Sequence, residues 1–425
     1  MTTTGYLKDT QFKKFCAYGF FKNQRFFESF IILYFLHHGI SYLQIGILYS
    51  MREVMLNLFE VPAGFLADSL GRKKTMLTSL TLYIACFILF SLGSTFGIFI
   101  AAFLLYALAD AFRTGTHKAM IYDYLKRKGW SQYKVSYYGH TRSWSQKGSA
   151  LSSLIAGAII FISGEYRWIF IVSLIPAILN LLLIASYPDT LNGKTSSLTK
   201  AAIRTSFQHS WEDFKTSFRK REVRKAIVNT SVYSGYFKAL KDFLQPIMQA
   251  LALSLPLMES QTGEKRTAVI IGTLYFFIYM LTSRASKRSA HFSKRFSSNT
   301  GALNTSLVMG IAAGVAAGVL LYLQQPLWAV LFYIVIYLTE NIRKPIGMAY
   351  TTDYVKQEIL ATALSAESQM KTLWTALITF LMGVLAHHFS LSVALVLLSG
   401  TLLLLFPLLR VNNATSPGSQ EGKHN

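Results

Sequence analysis

Leu108-Ala-Asp110-Ala-Phe-Arg113, followed ten residues after the arginine by Asp123-Tyr124, recurs 230 residues later as Leu338-Thr-Glu340-Asn-Ile-Arg343 followed by Asp353-Tyr354. Both copies sit in stretches apolar enough to span a bilayer. An acid, an arginine three residues on and an Asp-Tyr pair in the same register are the mark of a duplicated membrane bundle. Ionisable side chains at mid-bilayer are costly, so those that occur face the bundle interior and line a pathway. A transporter built from two halves is the reading that follows.

Composition agrees. The 425 residues are 52% hydrophobic and 14% aromatic, and the mean hydropathy is +0.36. That is too apolar for an ordinary soluble chain. Apolar stretches of roughly 20 residues, long enough to cross, fall at 14–37, 42–67, 75–93, 96–124, 137–163, 167–187, 226–252, 268–290, 301–323, 326–352, 361–386 and 390–410. The expected fold is therefore all-α and polytopic, with about twelve transmembrane helices in two pseudo-symmetric six-helix bundles. The first bundle is residues 1–187 and the second 226–411, joined by a linker at 188–225 and followed by a disordered tail at 412–425. In the linker Ile203, Phe207, Trp211, Phe214 and Phe218 recur at helical spacing, which predicts an amphipathic helix at the membrane interface.

The net charge of +22 is explained by where it falls. Lys13, Lys14, Arg72, Lys73, Lys74, Lys126, Arg127, Lys128, the cluster from Lys215 to Lys225, Lys287, Arg288, Lys294 and Arg295 lie at alternate span ends. By the positive-inside rule both termini are cytoplasmic, and the expected location is a bacterial inner membrane. The basic excess marks topology and attraction to anionic lipid, not nucleic acid. Cys16 and Cys86 are isolated, and no metal motif, phosphate-cradling loop or nucleophile elbow occurs. No cofactor, no enzymatic activity and a monomer are expected. The pairs His37-His38 and His387-His388 sit at extracytoplasmic span ends and read as interfacial histidines.

Between the second and third spans runs Gly64-Phe-Leu-Ala-Asp68-Ser-Leu-Gly71-Arg72-Lys73-Lys74. Its glycine, aspartate, glycine and arginine closely resemble the loop signature of the major facilitator superfamily, and the likeness in architecture covers essentially the whole chain. On physical grounds Gly64 suits close helix approach and Gly71 a tight turn, while Arg72 can meet a carboxylate. The resemblance implies a twelve-helix secondary transporter in which this loop latches one state. It implies that the partner of Arg72 is an acid at the end of the fourth span, the place Asp123 takes. In the second half the counterpart, Ser283 through Arg295, lacks the aspartate, and Asp353 is the acid left to meet its cations. The fifth span lacks the Gly-Pro signature of drug antiporters.

Within the spans, Asp110, Arg113, Thr114 and His117 fall at i, i+3, i+4 and i+7, one polar stripe on a continuous helix. The tenth span repeats it with Tyr333, Glu340, Arg343, Lys344 and Gly347. Arg25 with Glu28, Lys147, Lys238, Lys241 with Gln245, and Glu367 with Lys371 add to the set. Local pairing, such as Asp110 with Arg113 and Glu340 with Arg343, accounts for part of it. Lys118, Lys147, Lys241 and Lys344 then remain, and buried ammonium groups call for an anion. The expected substrate contacts are Arg113, His117, Lys118, Lys147, Arg343, Lys344, Arg25, Lys241, Gln245 and Tyr333. The candidate proton carriers are Asp110, Glu340, Glu367 and Glu28, with His117 titrating near neutrality when unperturbed. The latch set is Gly64, Asp68, Gly71, Arg72, Asp123 and Asp353.

The expected function is transport of a small anionic solute by alternating access, with the proton as the candidate coupling ion. The alternative is a proton-coupled exporter of an amphipathic drug or metal-chelating metabolite, bound through Phe26, Phe27, Tyr34, Trp144, Tyr236 and Trp374. A third class is a membrane receptor that keeps the transporter scaffold without flux.

Overall fold

The computed structural model describes residues 9–193, 221–354 and 357–411, together with Leu7 and Glu212. The expected amphipathic linker helix and the tail lie outside the described residues. So do the side chains of Asp68 and Asp353.

Among the described residues every long element is helical. The first half comprises α1 (Thr10–Lys22), α2 (Ile31–His37), α3 (Tyr42–Leu70), α4 (Arg72–Leu92), α5 (Phe96–Arg113), α6 (Thr116–Arg127), α7 (Lys134–Ser163) and α8 (Trp168–Ala185). The second comprises α9 (Arg221–Leu240), α10 (Leu244–Ser254), α11 (Gly263–Lys287), α12 (Ser289–Ser293), α13 (Asn299–Tyr322), α14 (Pro326–Tyr354), α15 (Gln357–His388), α16 (Leu391–Leu404) and α17 (Phe406–Leu409). Each of the twelve expected spans meets a helix or a broken helix pair. Seven described helical stretches, one of them α5 and α6 taken together, are long and apolar enough to cross a membrane by length and composition. The others are interrupted, short, or carry charges such as Arg52, Glu53 and Glu60 on α3.

The expectation of unbroken spans needs correction in three places. The first span stops at Lys22, turns through a 3₁₀ segment at Phe26–Ser29 and resumes as α2. The seventh breaks at a 3₁₀ turn, Lys241–Phe243. The fourth breaks between α5 and α6, where Gly115 has φ +80°, a left-handed conformation that glycine adopts without steric cost. The stripe from Asp110 to His117 is thus split over two helices. Discontinuous spans are tolerated where the freed backbone lines a cavity.

The chain groups into two compact units: Met1–Gln44, Met51–Ser206 and Ala252–Tyr279, and Ile45–Ser50, Phe207–Leu251 and Met280–Asn425. In the first unit α4 packs on α5 and α8, and α1 on α7 and α8. An aromatic cluster fills the core: Phe170 stacks on Phe27 at 5.3 Å and on Phe90 at 5.0 Å, and Tyr34 meets Phe170 at 4.8 Å. Such pairs add about 0.5–1.5 kcal/mol each beyond burial. Helix starts are capped by their own side chains. Ser41 and Gln44 close a reciprocal capping box on α3, and Asp9 accepts from Phe12 N at 2.9 Å on α1.

In the second unit α13 packs along α14 and α16, and α9 along α15 and α14. Gly310, Gly314 and Gly318 recur every four residues on α13. A Cβ at Gly310 or Gly314 would collide with the hydroxyl of Tyr233 or Tyr236 from α9, so the spacing is a small-residue seam that admits two buried rings. Large apolar side chains such as Ile162, Leu182, Leu404 and Leu408 are exposed, as lipid-facing positions of a membrane protein are.

Candidate functional site

Asp110, near the end of α5, is 4% exposed and collects cations from three helical segments. Arg52 of α3 reaches Oδ2 at 2.7 Å, Arg113 reaches Oδ1 at 2.9 Å, and Arg25, just past α1, lies 3.8 Å from Oδ1. Tyr83 of α4 donates its hydroxyl to the same carboxylate. The Tyr83 oxygen in turn accepts from Arg113 Nε at 3.1 Å and from Arg25 at 3.2 Å, and Tyr106 accepts from Arg25 at 2.5 Å. Glu28 pairs with Arg25 at 3.1 Å and Glu53 with Arg52 at 3.3 Å. Three guanidiniums thus share a network with three carboxylates and two phenols, an extensively bonded arrangement of the kind that makes buried charge tolerable.

Beside this node a cavity of about 430 Å³ is lined by Tyr18, Lys22, Arg113, Thr114, Gly115, His117, Lys118, Arg142 and Gln146 among others. Four lining residues are cationic and none is acidic. His117 stacks on Tyr18 at 3.8 Å between ring centres. Lys118 and, in the second unit, Lys344 are exposed and not the buried ammonium groups expected; the ammonium of Lys118 lies over Tyr122 and Tyr138 at 5.6 and 5.7 Å.

In the second unit Glu340 sits where the repeat places Asp110, yet its surroundings differ. It accepts from the Ser234 hydroxyl at 2.9 and 3.1 Å, and among the described residues no guanidinium or ammonium pairs with it within 4.0 Å. Arg343, 3% exposed, turns away from it. Its guanidinium donates to the Leu303 carbonyl, to Ser306 Oγ at 3.0 Å, and to Asn229 Oδ1 at 2.8 Å and Asn229 O at 3.3 Å. The expected Glu340–Arg343 pair is therefore replaced by neutral oxygen partners for both. A cavity of about 370 Å³ is lined there by Lys238, Lys241, Arg343, Lys344 and Lys371, with Glu340 and Glu367 as its acids.

Several expected contacts lie elsewhere. Lys147 is exposed with its ammonium over Trp144 at 4.7 Å, and it does not line the first cavity. Gln245 is fully buried and outside the second cavity. Tyr333, also buried, donates to the Leu240 carbonyl at 2.5 Å, pinning α14 to the break in the seventh span. Arg25 belongs to the Asp110 node, and Glu28 follows it. Lys22, Arg142, Lys238 and Lys371 are cavity cations beyond the expected contact set.

At the turn from α3 to α4, Gly71 has φ +92° and Arg72 forms an ion pair with Asp123 of α6. Gly64 has no described atom within 4 Å of where a Cβ would stand, so among the described residues it serves no close approach. The segment after α8 completes this end of the unit. Asn192 Oδ1 accepts from Lys73 N at 3.1 Å, Lys73 Nζ reaches the Tyr187 carbonyl at 2.7 Å and Asp189 at 2.9 Å, and Arg127 donates to the Thr190 carbonyl. The hydrogen bond and charge of Lys73 hold the Asp189 carboxyl below the usual carboxylate range. In the second unit, by contrast, Arg284, Lys287, Arg288, Lys294 and Arg295 are exposed, and no ion pair to them occurs among the described residues.

Among the described residues the long elements are all helical, with broken spans beside cationic cavities, the architecture of a polytopic membrane protein. The sequence matches the family model of the Major Facilitator Superfamily over residues 15–342, and the chain belongs to that superfamily. It is a secondary transporter. No curated protein matches the sequence significantly. Among solved structures, a mutant of the nucleoside transporter NupG superposes with a TM-score of 0.74 at 13% identity, covering 94% of this chain and 98% of that one. A POT family transporter in complex with a thioalcohol-conjugated peptide gives 0.69 at 14% identity, with 94% of each chain covered. A peptide transporter POT in complex with sulfate gives 0.69 at 15% identity, with 94% of this chain and 92% of that one covered. At these identities the likeness is one of fold.

Proposed function

We propose that this transporter moves a small anionic solute by alternating access, with a proton as the coupling ion. The observation that carries the reading is the charge of the two cavities: four cations and no acid in the first, five cations and two acids in the second. Cations gathered around a cavity repel one another, and an entering anion relieves that repulsion where apolar or neutral cargo does not. Of the expected proton carriers, Asp110 is committed to guanidinium partners, whereas Glu340 and Glu367 line a cavity and are the carboxylates placed to exchange a proton as cargo binds. Arg72 with Asp123 acts as the conformational latch, alongside Asp68. The chain works as a monomer of two six-helix bundles, residues 1–187 and 226–411, in a bacterial inner membrane with both termini cytoplasmic.

The exporter of amphipathic compounds has less support. Phe26, Phe27, Tyr34 and Tyr236 are buried in helix packing and line neither of these two cavities. The test is a thermal-unfolding screen of the purified full-length chain against malate, citrate, phosphate and sulfate, with uridine and a neutral dipeptide as controls. Anions should raise the midpoint, and further as their concentration exceeds the dissociation constant. Stabilisation by the neutral compounds alone would overturn the proposal.

A further inference from the structure

A second duplication lies in the first helix of each half. Gly19-Phe-Phe-Lys22-Asn-Gln-Arg25 matches Gly235-Tyr-Phe-Lys238-Ala-Leu-Lys241: a glycine, two aromatics, a lysine at the third position on and another cation at the sixth. In both copies the helix gives out within or beside the motif, α1 at Lys22 and α9 at Leu240. Both lysines line the cavity of their own unit.

The duplicated arginines of the fourth and tenth spans are already engaged. Arg113 is bonded to Asp110 and Tyr83, and Arg343 to Asn229, Ser306 and a carbonyl. Arg343 is occupied by neutral oxygens, and Arg113, which gives Nε and Nη2 to the node, is held in place at the cavity wall and sets its potential. Lys22 forms no ion pair among the described residues. One turn before it on the same helix face stands Tyr18, 3% exposed and stacked on His117. His117 Nε2 is buried without a hydrogen-bond partner among the described residues, and the buried Tyr18 hydroxyl makes no well-formed hydrogen bond there, Arg113 being its close cationic neighbour. Buried polar atoms of a native protein are nearly always bonded, and these two belong to stacked residues that line one cationic cavity together with Lys22, the place for a polar ligand.

We propose that Tyr18, Lys22 and His117 form an oxyanion subsite that takes a carboxylate or phosphate group of the solute, and that Lys238 makes the corresponding contact in the second unit. The inference rests on the anionic-solute reading above and assigns its contacts to the lysines of the first and seventh spans.

The full-length chain in detergent is titrated with citrate and, separately, with inorganic phosphate, and affinity is taken from the rise in unfolding midpoint with concentration. Lys22→Gln should weaken the better of the two by about ten- to a hundredfold, the loss of one charge-assisted contact. Lys22→Arg should keep most of the affinity, Tyr18→Phe should lose part of it, and Lys128→Gln, an exposed cation elsewhere, should lose none. Which probe binds tells carboxylate from phosphate. Equal affinity in wild type and Lys22→Gln would overturn this assignment and leave the anionic reading standing. No response of the wild type to either probe would overturn both. Should Lys22→Gln not fold, Tyr18→Phe and Lys22→Arg read the same subsite, and unchanged affinity in Tyr18→Phe with full loss in Lys22→Arg would also sink it.

Discussion

Asp110 and Glu340 hold the same place in the internal repeat, three residues before an arginine, and the two units treat them in opposite ways. Asp110 is the hub of a network of arginines and tyrosines, while Glu340 leans on a serine hydroxyl at 2.9 Å and its neighbouring arginine is solvated by neutral oxygens. The duplication kept the charges on the fourth and tenth spans. It did not keep the partners, because these come from other helices: α3 supplies Arg52 and α4 supplies Tyr83. One unit therefore carries a bonded charged node beside its cavity, and the other two carboxylates and five cations that line a cavity directly.

Three experiments break or sharpen this contrast, taken from the largest effect down. Asp110→Asn strands Arg52, Arg113 and Arg25 without their shared carboxylate, and should lower stability by about 3–5 kcal/mol, as breaking a buried ion pair does. Glu340→Gln keeps a partner for Ser234 and should cost about 1 kcal/mol or less. Denaturant midpoints of the two purified variants decide the matter, and equal losses would show that the units do not differ in this way.

The helix break comes next. Gly115→Ala forces an L-residue into a left-handed conformation at about 1–2 kcal/mol. No described atom lies within 4 Å of the added methyl, so the cost is one of backbone strain. In the second unit α14 runs through Pro345 without interruption, so Pro345→Ala restores a helical N–H and should raise stability. A fall in stability for Pro345→Ala would mean that the second unit uses a bend there.

The smallest effect is at the helix-connecting loops. Arg72→Ala removes a half-buried ion pair and should slow transport in proteoliposomes at saturating solute roughly fivefold, about 1 kcal/mol, while sparing affinity. Arg288→Ala, in the loop with no ion pairs among the described residues, should change neither. Loss of binding in Arg72→Ala with turnover intact would refute the latch.

Much of this protein is decided locally and is legible in its sequence. Hydropathy runs mark the spans, since a bilayer sorts side chains by transfer energy alone. The acid-x-x-arginine repeat marks the two halves, and the glycine-rich loop at 64–74 marks the family. The repeat Gly19 to Arg25 and Gly235 to Lys241 is equally legible once the first helices are laid over each other, and it points to Lys22 and Lys238. What the sequence did not decide was partnership. Arg52 meets Asp110 across 58 residues and Arg343 meets Asn229 across 114. Which oxygen a buried guanidinium finds depends on how the helices pack, not on spacing along one of them. The break at Gly115 has the same origin. A glycine after Thr114 permits a left-handed turn but does not require one, and only the packing of α5 and α6 around a polar cavity selected it.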